Sequence, residues 1–167
     1  MQKIVTNLWF DNQAEEAAKF YVSLFKNSSI HRMTYYDSSG AKVSGMPKGS
    51  VLTVEYSLDG QEYIAINGGP AFTFTPAVSL MVNCDTQEEI DRLWTAFCKE
   101  GKPEECGWLT DKFGLSWQIV PTKLNELLAD SDPEKVENVN RAVLSMVKLD
   151  IAQLEKAASS DTQEDLF

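Results

Sequence analysis

The chain has 167 residues, of which 43% are hydrophobic, so the sequence predicts one domain, or two small fused units, with a sizeable core. Its net charge of −10 disfavours a nucleic acid or an anionic membrane as partner. No apolar run approaches the roughly 20 residues of a membrane span, and residues 1–4 lead into a strand pattern without a signal-peptide layout. Three irregularly spaced cysteines, Cys84, Cys98 and Cys106, are typical of buried thiols in a reducing cytoplasm.

The first half of the chain predicts one helix and four strands. Residues 4–10 have a strand pattern, and Asn12 with Glu15 forms a capping box for the helix that follows. Asp59-Gly60 is a strong hairpin signal between two of the other strands. Those strands are predicted over residues 29–36, 50–58 and 61–67, and a long loop containing glycines is predicted over residues 37–49.

The same order of elements then recurs. Residues 77–83 predict a strand, and Thr86 with Glu89 forms a second capping box. The apolar helical positions correspond between the two halves, as Ala17 with Ile90, Phe20 with Leu93, Tyr21 with Trp94 and Leu24 with Phe97. A strand around residues 106–109 and a last strand over residues 115–120, entered through the turn 111–114, complete a second copy that is one strand short of the first.

The sequence pattern over residues 122–158 predicts a helical C-terminal segment. Asp132-Pro133 provides a helix cap followed by a first-turn proline. An apolar stripe follows at helical spacing, made of Val136, Val139, Val143, Met146 and Val147. We expect this stripe either at a dimer interface or against the protomer's own sheet. Residues 159–167 are polar and acidic and are predicted to be a disordered tail.

The duplicated modules, with a helix that opens Asn-Gln-Ala-Glu-Glu-Ala-Ala-Lys-Phe-Tyr at residue 12, resemble the vicinal oxygen chelate superfamily. That superfamily includes glyoxalase I, bleomycin-resistance proteins and extradiol dioxygenases. The more specific resemblance is to its PhnB-like branch, which often carries the name 3-demethylubiquinone-9 3-methyltransferase. Residues 105–121 and 146–151 carry this resemblance, which covers both modules and the C-terminal helix.

The resemblance implies an α+β fold of two βαβββ-type modules that form a cupped mixed sheet, the glyoxalase/bleomycin-resistance fold, with the second module shortened and a C-terminal helix added. We expect a single domain over residues 1–158, with module 1 at 1–70, module 2 at 76–121 and the helical segment at 122–158. The sheet is expected to enclose a small-molecule cavity, usually in a homodimer. The resemblance does not imply a known reaction.

The resemblance also places the four metal-ligand positions of the superfamily at Val5, Ala65, Ala77 and Gln118. Alternation along each strand then gives an inward set of mixed character and an outward set that is uniformly apolar. The inward set forms the candidate cavity wall, in which aromatic side chains and amides suit a small organic ligand. Its members are Asn7, Trp9, Tyr63, Asn67, Ser79, Met81, Ser116 and Gln118.

The same residues allow other interpretations. The inward side chains would alternatively fill a small core of their own, with their amides satisfied. His31 is the single histidine and has no second catalytic residue near it in sequence, which disfavours a Ser–His or Cys–His nucleophile. Glu55 and Glu62 are candidates for a base or a cation ligand, although a solvated hairpin position suits Glu62 better.

The sequence therefore favours a cytoplasmic, homodimeric protein that binds a small organic molecule without a cofactor. The alternative is an enzyme of the same superfamily, including a methyltransferase as the transferred name suggests. A methyltransferase usually needs a glycine-rich turn between a strand and a helix, whereas the first such turn here is Phe10-Asp11-Asn12-Gln13.

We predict that the purified, untagged protein carries no stoichiometric metal. A catalytic ion needs three or four donors converging at about 2.0–2.2 Å, whereas Val5, Ala65 and Ala77 have no donor atom and Gln118 has only a weak neutral one. Elemental analysis should therefore show no bound transition metal, and a chelator should leave the melting temperature unchanged. About one zinc, nickel, iron or manganese per chain would overturn this prediction.

Overall fold

The computed structural model describes residues 2–159. The predicted disordered tail lies outside the described residues from 160 onward, whereas Ser159 closes the last helix. The chain divides into two compact units, one ending at Phe74 and the other beginning at Thr75, and each is described by itself. The single domain expected over residues 1–158 stays a prediction. Within residues 2–159, no helix is both long enough and apolar enough to cross a membrane.

The first unit contains a four-stranded sheet, one long helix and one short helix. Its strands follow the order β1-β4-β3-β2, in which β1 is parallel to β4 and the other pairs are antiparallel. The elements are β1 (Thr6–Phe10), α1 (Ala14–Leu24), β2 (Ser29–Tyr35), α2 (Ser38–Ser44), β3 (Val51–Leu58) and β4 (Gln61–Asn67). The hairpin between β3 and β4 turns at Asp59 and Gly60, both with positive φ, as the sequence predicts.

Helix α1 covers one face of this sheet. The helix buries Ala14, Ala17, Ala18 and Tyr21 completely, and the strand residues beneath it include the equally buried Val54 and Ala65. Because alanine side chains are short, they let a helix lie close to the strands beneath it. This helix-covered side is called the helix face below, and the opposite side is called the open face.

Two local predictions in the first unit are wrong. Asn12 does not cap α1: the helix begins one residue later than the box requires, with Gln13 at the N-cap and no side-chain cap bond of its own. The predicted loop over residues 37–49 contains α2. Asp37 caps this helix by accepting a hydrogen bond from the Gly40 N–H, and Gly45 ends it with a φ of 78°.

The second unit repeats the arrangement and adds three C-terminal helices. Its sheet order is β5-β8-β7-β6, with β5 parallel to β8 and the other pairs antiparallel. The elements are β5 (Ser79–Cys84), α3 (Gln87–Cys98), β6 (Lys102–Pro103), a 3-10 turn (Glu105–Gly107), β7 (Trp108–Thr110), β8 (Ser116–Pro121), α4 (Thr122–Leu128), α5 (Pro133–Ser145) and α6 (Ile151–Ser159). The strand missing from the sequence pattern is β6, which is only 2 residues long.

Asp111 organises the turn into β8. Its carboxylate is buried and accepts hydrogen bonds from the backbone N–H groups of Phe113 and Leu115 and from the indole N–H of Trp117. Gly114 adopts a φ of 89° within this turn, a conformation that favours glycine. The buried acid thereby joins the turn to the core-facing tryptophan of β8.

The two stretches that carry the PhnB-like resemblance contact each other. The N–H groups of Cys106 and Gly107 donate hydrogen bonds of 2.8 Å to the carbonyl oxygens of Met146 and Val147. A Cβ at Gly107 would lie 3.0 Å from the side chain of Leu149, so glycine allows this close approach. These residues therefore serve to dock the C-terminal segment onto the second unit.

The C-terminal stripe packs largely within its own unit. Val139 is fully buried, and Val143 and Met146 pack against a cluster formed by Val120, Leu124, Val139, Leu149 and Leu154. Val147, by contrast, is 48% exposed. Most of the stripe is therefore buried within its own protomer, but it packs mainly against α4 and α6 rather than against the sheet.

The observed architecture confirms the predicted fold class. Each unit consists of four mixed strands with a helix between the first and second, and the C-terminal helical segment is present. The capping predictions at Thr86 and Asp132 are also confirmed, since each side chain accepts a hydrogen bond from the first turn of its helix.

Candidate functional site

Strand pairing shows which side chains share the open face of the first sheet. Asn7 pairs with Ile64 and Trp9 with Ile66, so these four side chains lie on one side of the sheet. Glu55 pairs with Ile64 on the other neighbour and belongs to the same side. Asn7 is exposed, whereas Trp9 and both isoleucines are half-buried. Asn7 and Trp9 thus face away from α1, as the sequence predicts.

The predicted orientation of Tyr63 and Asn67 is wrong. Both pair with residues on the helix face, Tyr63 with Thr6 and Asn67 with Phe10. Ala65, placed by resemblance at a metal-ligand position, pairs with Leu8 and is fully buried there. One step of register along β4 separates the predicted orientation from the observed one, and it exchanges the two faces of the strand.

Asn67 connects elements of the first unit through hydrogen bonds. Its side-chain oxygen accepts a 2.8 Å hydrogen bond from the N–H of Ala14, the first residue of α1. Its side-chain N–H donates at 3.0 Å to the carbonyl of Val51, and its own carbonyl accepts from the Tyr36 hydroxyl. The side-chain amide of Asn67 therefore caps α1, as Asn12 was expected to do. Its oxygen and its nitrogen are both hydrogen-bonded within the fold.

Trp9 is held on the open face by the segment that follows β4. Its indole N–H donates a 2.9 Å hydrogen bond to the carbonyl of Gly69, and its ring meets Phe72 edge to face at 5.1 Å. A Cβ at Gly68 would lie 2.0 Å from the indole, so only glycine permits this packing. Gly68 and Gly69 therefore position the tryptophan.

The predicted orientations in the second sheet agree with its strand pairing. Ser79 pairs with Ser116 and Met81 with Gln118, so all four lie on one side, called the open face of this sheet. Leu80, Val82, Trp117 and Ile119 lie on the other side, where Trp117 packs against Phe97 of α3. The pairing adds Trp108 and Thr110 to the open face, because they oppose Gln118 and Ser116. The sequence signal for these two residues is their alternation around Leu109, which is buried.

Gln118 and Ser79 form a hydrogen-bonded pair on this open face. The Gln118 amide N–H donates to the Ser79 hydroxyl oxygen at 2.9 Å. Both side chains are half-buried, Met81 is 54% exposed and Ser116 is buried. The pair leaves the amide oxygen of Gln118 as an acceptor and the hydroxyl of Ser79 as a donor for a further partner.

A small cavity of about 160 Å³ lies in the first unit, at the end of the sheet where β1 begins. Its wall includes His31, Glu55 and Glu62, which the sequence offers as candidate chemical groups. Val5, Tyr56, Tyr63 and Ile64 complete its wall. The two tyrosine rings stack at 5.5 Å, and burial raises the pKa of Tyr63.

Glu55 is an ionised group in this environment. Its carboxylate accepts hydrogen bonds from the guanidinium of Arg32, and this contact lowers the pKa of Glu55, with a smaller contribution from His31. Glu62 accepts a hydrogen bond from the backbone N–H of Gln2. Within residues 2–159, no three His, Cys, Asp or Glu side chains are grouped so that they would hold a metal ion.

The cysteines offer little nucleophilic chemistry. None of the three takes part in a disulfide, and burial raises the pKa of Cys84 to about 12. Burial also raises the pKa of Cys98. Since the thiolate is the reactive form, these two side chains remain protonated and inert near neutral pH.

Each unit contains a mixed four-stranded sheet with one face under a helix and with polar and aromatic side chains on the other. This arrangement defines a protein of the glyoxalase/bleomycin-resistance fold class. Within that class, a family model described as 3-demethylubiquinone-9 3-methyltransferase matches residues 2–120. The chain belongs to this PhnB-like family.

Solved structures similar to the chain include the following two. The PhnB protein of Bacillus cereus, whose name carries the same methyltransferase description, is 39% identical, with a TM-score of 0.65 over 72% of this chain and 100% of that one. The protein PA1353 of Pseudomonas aeruginosa is 20% identical, with a TM-score of 0.57 over 72% of this chain and 98% of that one, and it supports the fold alone. No protein with a curated description matches the chain.

Because Asn7 and Asn67 have different surroundings, the same substitution to alanine should change the free energy of unfolding by different amounts. Asn67→Ala should lower the free energy of unfolding by about 2–3 kcal/mol, because it leaves a buried N–H and a carbonyl without partners. Asn7→Ala, on the exposed open face, should stay within about 0.5 kcal/mol of the unchanged protein. Urea unfolding measures both values. Equal losses for the two variants would contradict the observed orientation of β4.

Proposed function

We propose that the protein binds a small organic molecule on the open face of a sheet, a surface that each unit offers by itself. The observation that carries this proposal is the division of each sheet into two unlike faces. One face is apolar and packed under a helix, while the other presents aromatic rings beside hydrogen-bonding groups, as ligand sites usually do. Asn7 and Trp9 represent the first sheet, and Ser79, Met81, Ser116 and Gln118 the second.

The chemistry of the second sheet's open face supports binding more than catalysis. The open-face side chains of β5, β7 and β8 are uncharged and provide no acid or base. Trp9 and Gln118 are already oriented by hydrogen bonds within the fold, and such preorganisation favours recognition. We therefore place the protein among binding or sequestering members of the fold, without a catalytic metal.

An enzymatic function is the alternative, and the description of the family as a methyltransferase favours it. Native mass spectrometry of the purified protein separates the two. A retained methyl donor, or turnover of a bound molecule, supports the enzyme. A tightly retained molecule that is never converted supports sequestration.

We further propose that the protein works as a homodimer in the cytoplasm. The three thiols without disulfides suit a reducing compartment. Exposed apolar side chains in both units, such as Ile4, Val78 and Leu144, offer surface for a second copy.

Replacing Gln118 tests the binding site directly. For a ligand identified by native mass spectrometry, Gln118→Ala should weaken binding by about 1–3 kcal/mol, because a hydrogen-bonding group of the ligand loses its partner. Isothermal titration measures the difference. Gln153→Ala, at an exposed position on α6, is the matched control and should leave the affinity unchanged. Equal affinity in the Gln118 variant would exclude the amide as an anchor.

Adjacent residues of α5 test the dimer and the role of this helix. Sedimentation velocity at micromolar concentration should show a dimer, and a monomer alone would reject it. Val143→Glu should destabilise the protomer, since the side chain packs on the C-terminal cluster. Leu144→Glu, where the side chain is 72% exposed, should preserve the fold and shift the protein to monomer only if this side of α5 lies at the interface.

A further inference from the structure

The open face of the second sheet carries two neighbouring rows of side chains that differ in size. One row consists of three hydroxyl side chains, one each from β5, β8 and β7, namely Ser79, Ser116 and Thr110. The next row consists of three larger side chains from the same strands, namely Met81, Gln118 and Trp108. Because the hydroxyl side chains are small and their neighbours are long or broad, the two rows form a step. Ser116, in the lower row, is buried.

Gln118 and Ser79 connect the two rows and together present one donor and one acceptor. The Gln118 N–H donates to the Ser79 hydroxyl oxygen at 2.9 Å, so the amide oxygen and the hydroxyl hydrogen remain for a further partner. A half-turn of the amide exchanges these roles and again leaves one donor and one acceptor. A neutral amide matches both groups, because its C=O accepts a hydrogen bond and its adjacent N–H donates one.

The pair lies among uncharged side chains, since both rows consist of hydroxyl, thioether, amide and indole groups. Charged side chains adjoin the hydroxyl row at its far end, on the edge strand. There Lys102 pairs with Thr110 in register, and Glu104 accepts a 2.8 Å hydrogen bond from the Thr110 hydroxyl. These two charges have opposite signs. An ionised group bound at Gln118 would therefore lose hydration without gaining a counter-charge, whereas a neutral amide would exchange one set of hydrogen bonds for another.

Trp108 and Met81 flank Gln118 within its own row. Trp108 is half-buried and Met81 is 54% exposed, so both side chains present apolar surface on the open face. An indole ring stacks on flat rings, and a thioether makes favourable contacts with aromatic side chains and ligands. A flat ring that carries the amide would therefore find apolar contacts on both sides of Gln118.

We propose that Gln118 and Ser79 form a subsite for a neutral carboxamide or lactam, and that the flat ring attached to this group lies against Trp108 and Met81. The inference rests on the proposed function, because it takes the open face of the second sheet as a ligand-binding surface. It goes further by naming the chemical class of the ligand and by adding Trp108 to the site.

Three probes with the same ring test the class of ligand. Benzamide offers a donor and an acceptor, acetophenone has a methyl group in place of the amide nitrogen and offers only the acceptor, and benzoate is anionic. Each is titrated into the full-length ¹⁵N-labelled protein, and the side-chain NH2 signal of Gln118 is followed with the backbone amides. We expect saturable shifts at Gln118, Ser79 and Trp108 with benzamide, and about fivefold weaker binding of the other two probes. Added salt should leave benzamide binding unchanged, because the ligand and both rows are uncharged.

Variants locate the amide of the ligand. Gln118→Met keeps the length of the side chain and Ser79→Ala removes one hydroxyl, and each should weaken benzamide binding about two- to fivefold. The double variant should bind benzamide and acetophenone equally, because both polar partners are gone. Trp108→Leu should weaken all three probes alike, since they share the ring. Gln153→Met, at an exposed position on α6, is the matched control and should change nothing. The folding of each variant is checked from its amide spectrum.

The outcomes separate this inference from the proposed function. Equal binding of benzamide and acetophenone by the unchanged protein, or tighter binding of benzoate, would overturn the neutral amide while leaving a ring-binding surface. Benzamide binding that survives in the double variant would overturn it as well. Shifts that saturate around Trp9, with none at Gln118 and Trp108, would overturn the subsite and support the broader proposal. Saturable shifts on neither sheet, together with no small molecule retained in native mass spectrometry, would count against both.

Discussion

Each unit depends on one buried polar side chain that satisfies backbone groups which neither sheet nor helix can pair. In the first unit this is Asn67, whose amide joins the start of α1 to the start of β3, while its carbonyl receives the Tyr36 hydroxyl. In the second unit it is Asp111, which closes the turn into β8 and holds the indole of Trp117. A buried donor left without a partner costs about 1–3 kcal/mol, so these two residues decide where the elements around them begin.

The position of Asn67 also determines which residues face a ligand. To reach the N–H of Ala14, its side chain has to lie on the helix face of β4, and the pleat then places Tyr63 and Ala65 on that same face. Glu62, Ile64 and Ile66 consequently point to the open side. The helix cap made by Asn67 thereby determines which side chains of β4 lie on the side of the sheet that carries Glu55.

Sequence patterns predicted the second sheet better than the first for a physical reason. On β5 and β8 the polar and apolar side chains alternate clearly, as in Ser116-Trp117-Gln118-Ile119, so the faces follow from period two alone. On β4 the sequence Tyr63-Ile64-Ala65-Ile66-Asn67 offers two plausible apolar faces, and side-chain size alone favours the isoleucines for the core. The structure instead buries Ala65, because the alanines of α1 approach closely there. The cap provided by Asn67 joins residues far apart in sequence, which no local pattern reveals.

The same local chemistry bears on the methyltransferase description of the family. A helix N-terminus is a common place for the anionic part of a nucleotide-like cofactor, because its first N–H groups are free and its dipole is positive. Here the N–H of Ala14 is already bonded to Asn67, and the first turn of α1 carries Glu15 and Glu16. The carbonyls of Phe10 and Asp11 just before it accept hydrogen bonds from Gly68 and Gly69. Helix α3 likewise begins with its own cap, Thr86, followed by Glu88 and Glu89. The first turns of both module helices are thus capped by the chain itself and carry negative charge, so neither helix N-terminus offers a ready site for an anionic group.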